Sequence, residues 1–259
     1  MVDPLVRISR NGGIATVTLD RPSKLNALTP GMLDRLEDVA RELEADVDTR
    51  VVILTGGDGK AFCVGADINE WAALQPLDMW RHWVRRGHQV FDQWARLRQP
   101  VVTAINGHAF GGGLELAITG DIRIAAQTAT FALPEASIAT CPGWSGTQRL
   151  VKLVGASHAK YLALSGVRVG GDGALQSGLV HEVVAAADVA ERAIALAREM
   201  ALRAPISMQL NKQLINAASG EDTAATLEAM AGALAATTDD AAEGIRSFRE
   251  KRPPAFVGR

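Results

Sequence analysis

Two glutamates beside glycine-containing loops are the residues whose types and spacing best suit chemistry. Glu115 follows three consecutive glycines, 111–113, and Glu135 follows Pro134. Two converging carboxyl groups could move protons on a bound molecule as general acid and base. Each glutamate also falls at an expected helix start, where an acidic side chain favours the helix dipole without any catalytic role. The residues alone leave both interpretations open.

The loops themselves offer a second kind of chemistry, through backbone N–H groups. One loop, 60–68, contains Gly65, and the other, 106–117, contains the three glycines. A glycine run that enters a helix leaves N–H groups unpaired, and such groups attract developing negative charge. The glycines could equally serve packing or a turn. Neither loop has the GxGxxG or GxxxxGK[ST] spacing, which disfavours a dinucleotide cofactor or a phosphate-binding loop.

Alternating strands and helices must position these loops. The segment Ile14–Leu19 alternates like a half-buried strand, and 51–55 and 101–105 are continuous apolar runs typical of strands covered on both faces. Thr29 and Pro30 begin an amphipathic helix that reaches about residue 45. Further helices are predicted at 77–97 and 187–202, and short strands at 122–125 and 130–132. This alternation predicts an α/β domain with functional groups at strand ends and helix starts.

The last part of the chain has a different pattern. From Pro205 onward the sequence has helical patterns and no good strand, including 223–236. Thr237 and Asp240 have the spacing of a capping box at the start of a further helix. We therefore divide the chain into a core, residues 1–200, and a helical C-terminal region, residues 201–259.

Composition excludes several classes of protein. The 259 residues are 47% hydrophobic, enough for a large buried core, and a net charge of -2 disfavours nucleic acid or an anionic membrane as partner. No stretch has about 18 consecutive apolar residues, and the first ten residues lack a signal-peptide core. Cys63 and Cys141 lack metal-site or redox spacing and predict free thiols in a reducing compartment. We expect a cytoplasmic protein.

Ordered motifs along nearly the whole chain resemble those of the crotonase superfamily, the enoyl-CoA hydratase/isomerase family. The matching segments are IATVTLDRP (14–22), KLNAL (24–28), AF (61–62), GADI (65–68), NG (106–107), GGGLELA (111–117), DIRIA (121–125), PE (134–135), GTQRL (146–150), GLV (178–180) and EKR (250–252). The resemblance implies a crotonase fold, an α/β spiral of ββα units with a C-terminal helical trimerisation region. It also implies a homotrimer or a hexamer of two trimers. Periodicity alone would fit a doubly wound sheet as well.

The resemblance also implies roles for individual residues. It places two oxyanion-hole donors on the backbone N–H groups of Ala66 and Gly112, which would bind the carbonyl oxygen of an acyl-CoA thioester. It implies that Glu115 activates a water molecule and that Glu135 exchanges a proton at C2. The residues implied to bind substrate and CoA are Lys24, Ala66, Asp67, Ile68, Asn69, Gly112, Trp144, Phe248 and Lys251, with Phe248 and Lys251 from a neighbouring subunit. No metal and no separate cofactor are expected, because coenzyme A is part of the substrate.

Some positions depart from the family pattern or allow a structural role. Trp144 and Ser145 stand where family hydratases commonly have small residues, often glycine. The Trp144 indole could line the acyl pocket or pack into the interior. The same choice between a cover over the acyl chain and core packing applies to Trp71, Trp80, Trp83 and Trp94. Arg81, Arg85 and Arg86 with His82 and His88 form a basic patch that suits a solvated helix face or a CoA phosphate contact.

The favoured function is reversible syn hydration of a 2-trans-enoyl-CoA to a 3-hydroxyacyl-CoA by a hydro-lyase. An enoyl-CoA isomerase that uses mainly Glu135 is the alternative, and the presence of Glu115 argues against it. A non-catalytic module that binds CoA thioesters or RNA is a further alternative. The intact acid pair and the near-neutral charge argue against that module.

Overall fold

Two β-sheets carry the loops of interest in the computed structural model, which describes residues 5–259. The larger sheet has six strands in the order β1-β2-β3-β5-β7-β10, and the smaller has four in the order β4-β6-β8-β9. The strands are β1 (Val6–Asn11), β2 (Ile14–Leu19), β3 (Val51–Thr55), β4 (Ala61–Cys63), β5 (Val101–Ile105), β6 (His108–Phe110), β7 (Ile122–Ala126), β8 (Thr130–Ala132), β9 (Val169–Gly170) and β10 (Glu182–Val184).

The larger sheet contains four of the five strands that the sequence predicted, namely β2, β3, β5 and β7. β1 pairs with β2 in antiparallel fashion, and β2, β3, β5, β7 and β10 are parallel neighbours. β3 and β5 are buried almost throughout, as their continuous apolar runs predicted, and helix α8 (Val189–Ala201) packs against both. Because these strands are fixed in the core, the loops that follow them begin from rigid positions.

The smaller sheet explains the ββα order implied by the resemblance. β3, β5 and β7 lie in the larger sheet, and the strand that follows each of them, β4, β6 or β8, lies in the smaller one. Helical segments then follow each pair of strands. A doubly wound single sheet is therefore wrong for this chain. β4 and β6 pair in parallel, which brings the ends of their two loops together.

The core helices predicted at 30–45 and 187–202 are present, whereas the helix at 146–165 was not predicted. The core helices are α1 (Pro30–Ala45), α2 (Ile68–Trp71), α3 (Pro76–Asp78), α4 (Arg85–Ala95), α5 (Gly112–Ala117), α6 (Gly146–Ser165), α7 (Gly171–Gln176) and α8. The Thr29 side chain caps α1 by accepting from the N–H of Met32 at 3.2 Å, as expected. The helix predicted at 77–97 has a π-helical segment, Met79–Val84, between α3 and α4. Such segments often occur at functional sites.

The described chain divides into two compact units, one that ends at Gln209 and one that spans Leu210–Arg259. The division falls within α9 (Pro205–Ala218), and α10 (Thr223–Ala236) and α11 (Asp239–Glu250) follow in the second unit. The predicted capping box at Thr237 is wrong by one residue. Thr238 caps α11 by accepting from the N–H of Ala241 at 3.1 Å, because Thr237 still closes α10.

Among residues 5–259, no helix is both long enough and apolar enough to cross a membrane. In the second unit, large apolar side chains are exposed, among them Leu227, Leu234 and Phe248. Where such side chains form a contiguous patch, the patch often marks a surface that another molecule covers.

Candidate active site

Helix α5 carries Glu115 into the protein interior. The helix begins at Gly112, and Glu115 lies in its first turn with 2% of its surface exposed. Its Oε1 accepts hydrogen bonds of 2.9 Å from the backbone N–H groups of Trp144 and Gly146. Residue 146 must be glycine for this packing, because a Cβ there would overlap the Glu115 side chain. One carboxylate oxygen is therefore held in place by two backbone donors.

Glu135 approaches the same place from another element. It begins the 3-10 turn 135–138, and its Oε2 is buried without a hydrogen-bond partner in the described chain. Gly111 has a φ of 51°, and a Cβ on it would lie 2.7 Å from Glu135 Oε1. Glycine at 111 thus provides both the positive φ before α5 and the space that Glu135 occupies.

Burial controls the protonation of both carboxyl groups. Burial, together with the nearby Glu115 carboxylate, raises the pKa of Glu135 to about 7. Burial also raises the pKa of Glu115, although the N–H groups of Trp144, Gly146 and Gly143 oppose this change. Two acids of this kind in one cavity titrate as a coupled pair and can retain one proton near neutral pH.

Two unpaired backbone donors lie beside the acids. Leu28 forms a β-bridge around Ala66, since its N–H donates to Gly65 O and its carbonyl accepts from Asp67 N–H, both at 2.8 Å. This bridge does not use the Ala66 N–H. A Cβ on Gly112 would lie 3.6 Å from Ala66 N, so the two loops are in close contact. Within residues 5–259, neither the Ala66 nor the Gly112 N–H donates to another residue.

A cavity of about 240 Å³ joins the acids and the donors. Both glutamates, Ala66 and Gly112 line it. The remaining wall is largely apolar and includes Val64, Ile68, Trp71, Met79, Trp83, Val84, Pro134, Ile138 and Trp144. An apolar cleft with a few convergent polar groups is typical of a small-molecule site.

Trp144 fulfils both of the roles that the sequence left open. It lines the cavity, and it is only 3% exposed because its ring packs 5.3 Å from Trp83 and 5.2 Å from Phe91. The other tryptophans divide. Trp71 and Trp83 line the cavity, Trp94 is a core residue whose indole N–H donates to Leu36 O at 3.0 Å, and Trp80 is exposed.

In the basic patch, Arg86 binds Asp34 at 2.8 Å and Glu37 at 2.6 Å.

Only some of the residues expected to bind CoA line the cavity. Ile68 lines the cavity, whereas the Asp67 side chain binds Arg21 at 2.7 Å and caps α2 by accepting from Asn69 N–H. The Arg21 guanidinium holds the pKa of Asp67 below its ordinary value. Lys24 is exposed at the end of the turn 22–24. In the second unit, Phe248 is exposed and Lys251 ends α11.

Sequence reasoning missed part of the cavity wall. Met79 and Val84 belong to the π-helical segment, whose apolar spacing gave no signal of a pocket. Cys63, which adjoins the Gly65 loop, is fully buried, and burial raises the pKa of its thiol to about 12. A thiol in that state is a poor nucleophile.

Comparisons with known proteins agree on one family. Residues 9–259 match the family model described as enoyl-CoA hydratase/isomerase. A short-chain-enoyl-CoA hydratase from Clostridium acetobutylicum is 38% identical over 249 residues, which cover 95% of each chain. A mitochondrial enoyl-CoA hydratase from Pongo abelii is 37% identical over 254 residues, which cover 95% of this chain and 84% of that protein.

A solved structure supports the same relationship. The crystal structure of an enoyl-CoA hydratase from Bacillus anthracis superposes with a TM-score of 0.82 at 36% identity, and the match covers 98% of this chain and all of that one. This likeness confirms the fold predicted from the sequence.

Proposed function

Because the chain belongs to the enoyl-CoA hydratase/isomerase family, we propose that it adds water reversibly to a 2-trans-enoyl-CoA and so forms a 3-hydroxyacyl-CoA. The observation that carries this proposal is the presence of two buried carboxyl groups, Glu115 and Glu135, in the cavity that also contains two unpaired N–H groups. The apolar remainder of the wall suits an acyl chain.

The thioester carbonyl oxygen accepts from the N–H groups of Ala66 and Gly112 in this mechanism. When water attacks C3, negative charge moves to that oxygen and the C1–C2 unit becomes enolate-like. Fixed donors stabilise this transition state more than the ground state, because the charge develops only there. Loss of one such donor typically raises the barrier by roughly 2.7–4 kcal/mol.

The two glutamates move the protons. Glu115, whose Oε1 is fixed by Trp144 and Gly146, takes a proton from water as the oxygen bonds to C3. Glu135 is the acid that protonates C2, and its pKa of about 7 keeps much of it protonated near neutral pH. Transfer of one proton from Glu115 back to Glu135, directly or through water, restores the starting state. The chemistry requires no metal and no cofactor besides the CoA of the substrate.

An enoyl-CoA isomerase is the second candidate, since one carboxylate can carry a proton between two carbon atoms. The unpartnered Oε2 of Glu135 suits that function. The hydratase is favoured because Glu115 is also buried in the cavity, where an unused carboxyl group would be costly to desolvate. The same argument disfavours a non-catalytic CoA-thioester or RNA-binding module.

The test is the loss of conjugated enoyl-thioester absorbance with short, long, branched and aromatic 2-enoyl-CoAs. We expect turnover by the wild type, and a fall of about 100-fold or more in both Glu115→Gln and Glu135→Gln. Loss of activity in Glu135→Gln alone, with a 3-enoyl-CoA as the better substrate, would favour the isomerase. No turnover of any 2-enoyl-CoA by the wild type, with CoA thioesters still binding, would refute the hydratase and leave the isomerase, another lyase or a binding function.

We further propose a homotrimer or a hexamer, in which Phe248 and Lys251 contact the CoA bound to a neighbouring subunit and Lys24, Asp67 and Asn69 lie near the nucleotide. The exposed apolar side chains of the second unit support an assembly. Two free cysteines are consistent with a cytoplasmic location. Light scattering measures the mass in solution, and a monomer at micromolar concentration would contradict the assembly.

A further inference from the structure

Ser145 occupies an unusual position next to Glu115. It lies between Trp144 and Gly146, the two residues whose N–H groups hold Glu115 Oε1. Ser145 is 5% exposed, and it does not belong to the described cavity wall. Its hydroxyl therefore lies outside the cavity. Its function must act through the loop.

The backbone of Ser145 adopts the left-handed conformation, with φ 70° and ψ 7°. A residue with a Cβ is strained in this region, whereas glycine adopts it freely. A left-handed residue between two others can direct the flanking N–H groups towards one acceptor. Here that acceptor is Glu115 Oε1. The left-handed conformation of Ser145 thus determines whether both N–H groups can donate to Glu115.

Hydrogen bonds of the hydroxyl oppose the strain. Ser145 Oγ lies 2.9 Å from Asp92 Oδ1 and 2.8 Å from His88 Nδ1, both on α4. Asp92 also binds Arg149 at 2.7 Å, and His88 Nε2 lies 3.2 Å from Asp92 Oδ2. Because a carboxylate can only accept, the hydroxyl donates to Asp92, and its oxygen is also hydrogen-bonded with His88 Nδ1.

The charges around this network keep Asp92 ionised. Burial opposes its ionisation, but hydrogen bonds from Arg149 and Ser145 hold the pKa of Asp92 below its ordinary value. Arg149 is nearly buried, and its charge also favours the ionised form of Glu115. Ser145 is thus tied to α4 by an acceptor that stays charged at neutral pH.

We propose that Ser145, held by Asp92 and His88, is a positioning residue for Glu115. Its hydroxyl keeps residue 145 left-handed, and this conformation keeps two N–H groups on the carboxylate. The kinetic part of the inference rests on the proposed function, because it treats Glu115 as the base. The positioning part concerns only the loop and the carboxyl group.

Two substitutions separate the hydroxyl from the backbone conformation. Ser145→Ala removes the hydroxyl and keeps the strained Cβ, so the loop should relax and release Glu115. Ser145→Gly removes the hydroxyl and also the strain, so the loop should keep its shape. We expect kcat to fall about 100-fold in Ser145→Ala with little change in KM, as for a misplaced catalytic group, and to stay near wild type in Ser145→Gly. Ser177→Ala, at the end of α7, is the matched control and should leave kcat unchanged.

A readout independent of turnover is the titration of Glu115, followed by NMR with glutamate labelled at the carboxyl carbon. The Glu115 signal is the one that disappears in Glu115→Gln. The N–H groups of Trp144 and Gly146 lower the pKa of Glu115, so their loss in Ser145→Ala should raise it, while Ser145→Gly should leave it unchanged. An unchanged Glu115 titration in Ser145→Ala, or equal shifts in both variants, would overturn the proposal. If the wild type turns over no substrate, the proposed function fails while this titration still decides the positioning role.

Discussion

Substitution of Gly146 by alanine should displace Glu115 from its position in the cavity. Gly146 begins α6 and has no positive φ, so its backbone suits alanine. Its Cβ would lie 2.3 Å from Glu115 Cγ, whereas carbon atoms in contact prefer about 3.5–4.0 Å. The Glu115 side chain must therefore move by about 1.2–1.7 Å, the difference between these distances.

A displacement of about 1 Å of a catalytic group can lower the rate about 100-fold. We therefore expect kcat of Gly146→Ala to fall by at least about that factor in the enoyl-thioester absorbance assay, and the free energy of unfolding to fall by about 1–3 kcal/mol because the site is overpacked. The matched control is Gly232→Ala in α10, where a Cβ meets nothing within 4 Å. This control should keep full activity and gain roughly 0.5–1 kcal/mol of stability. A Gly146→Ala variant with wild-type kcat would refute the assignment of Glu115 to catalysis or the stated geometry.

Three further predictions concern the cavity wall and the second acid. Gly87→Ala would place a Cβ inside the Trp144 indole, so we expect the free energy of unfolding, measured with urea, to fall by about 1–3 kcal/mol. Adding Trp144→Phe should restore much of this loss. No recovery would mean that another contact is responsible. Trp144→Ala should lower stability by about 3–5 kcal/mol and shift the preferred substrate towards bulkier acyl chains in a kcat/KM panel, whereas an unchanged preference would place the acyl chain elsewhere. Glu135 retains its proton to about pH 7 in the folded state but only to about 4.5 when unfolded, so it lowers stability progressively between these values. Glu135→Gln should therefore be more stable than wild type by up to about 3 kcal/mol above pH 7 and equal to it near pH 4, and equal stability at pH 8 would contradict the raised pKa.

Patterns within short segments of the sequence correctly predicted several strands and helices. The apolar runs at 51–55 and 101–105 and the capped helix at 30–45 are present because burial and capping act within a few residues. The strands β4 and β6 were not predicted. Each has three residues and is held by pairing with distant segments.

Less of the candidate site than of the fold could be predicted from the sequence. The glycine run predicted that Glu115 would lie in a first helical turn, which is correct. Residue types alone could not show that Glu115 and Glu135 share a cavity, because that depends on two sheets that bring separate loops together. The roles of Ala66 and Gly112 came from the family resemblance. The contact between Ser145 and His88 joins residues 57 positions apart and left no local signal.

Mutations affect the two unpaired N–H groups beside the cavity in different ways. A donor that belongs to the main chain is specified by no codon, so mutations at residue 66 reshape the pocket but cannot remove its N–H, except for a change to proline. At residue 112 the constraint is spatial, because a Cβ would lie 2.8 Å from the Trp144 ring. The backbone donors are thus the part of the site that substitutions are least able to remove. Acids, walls and substrates can change over evolutionary time around a feature that almost any residue at 66 would supply.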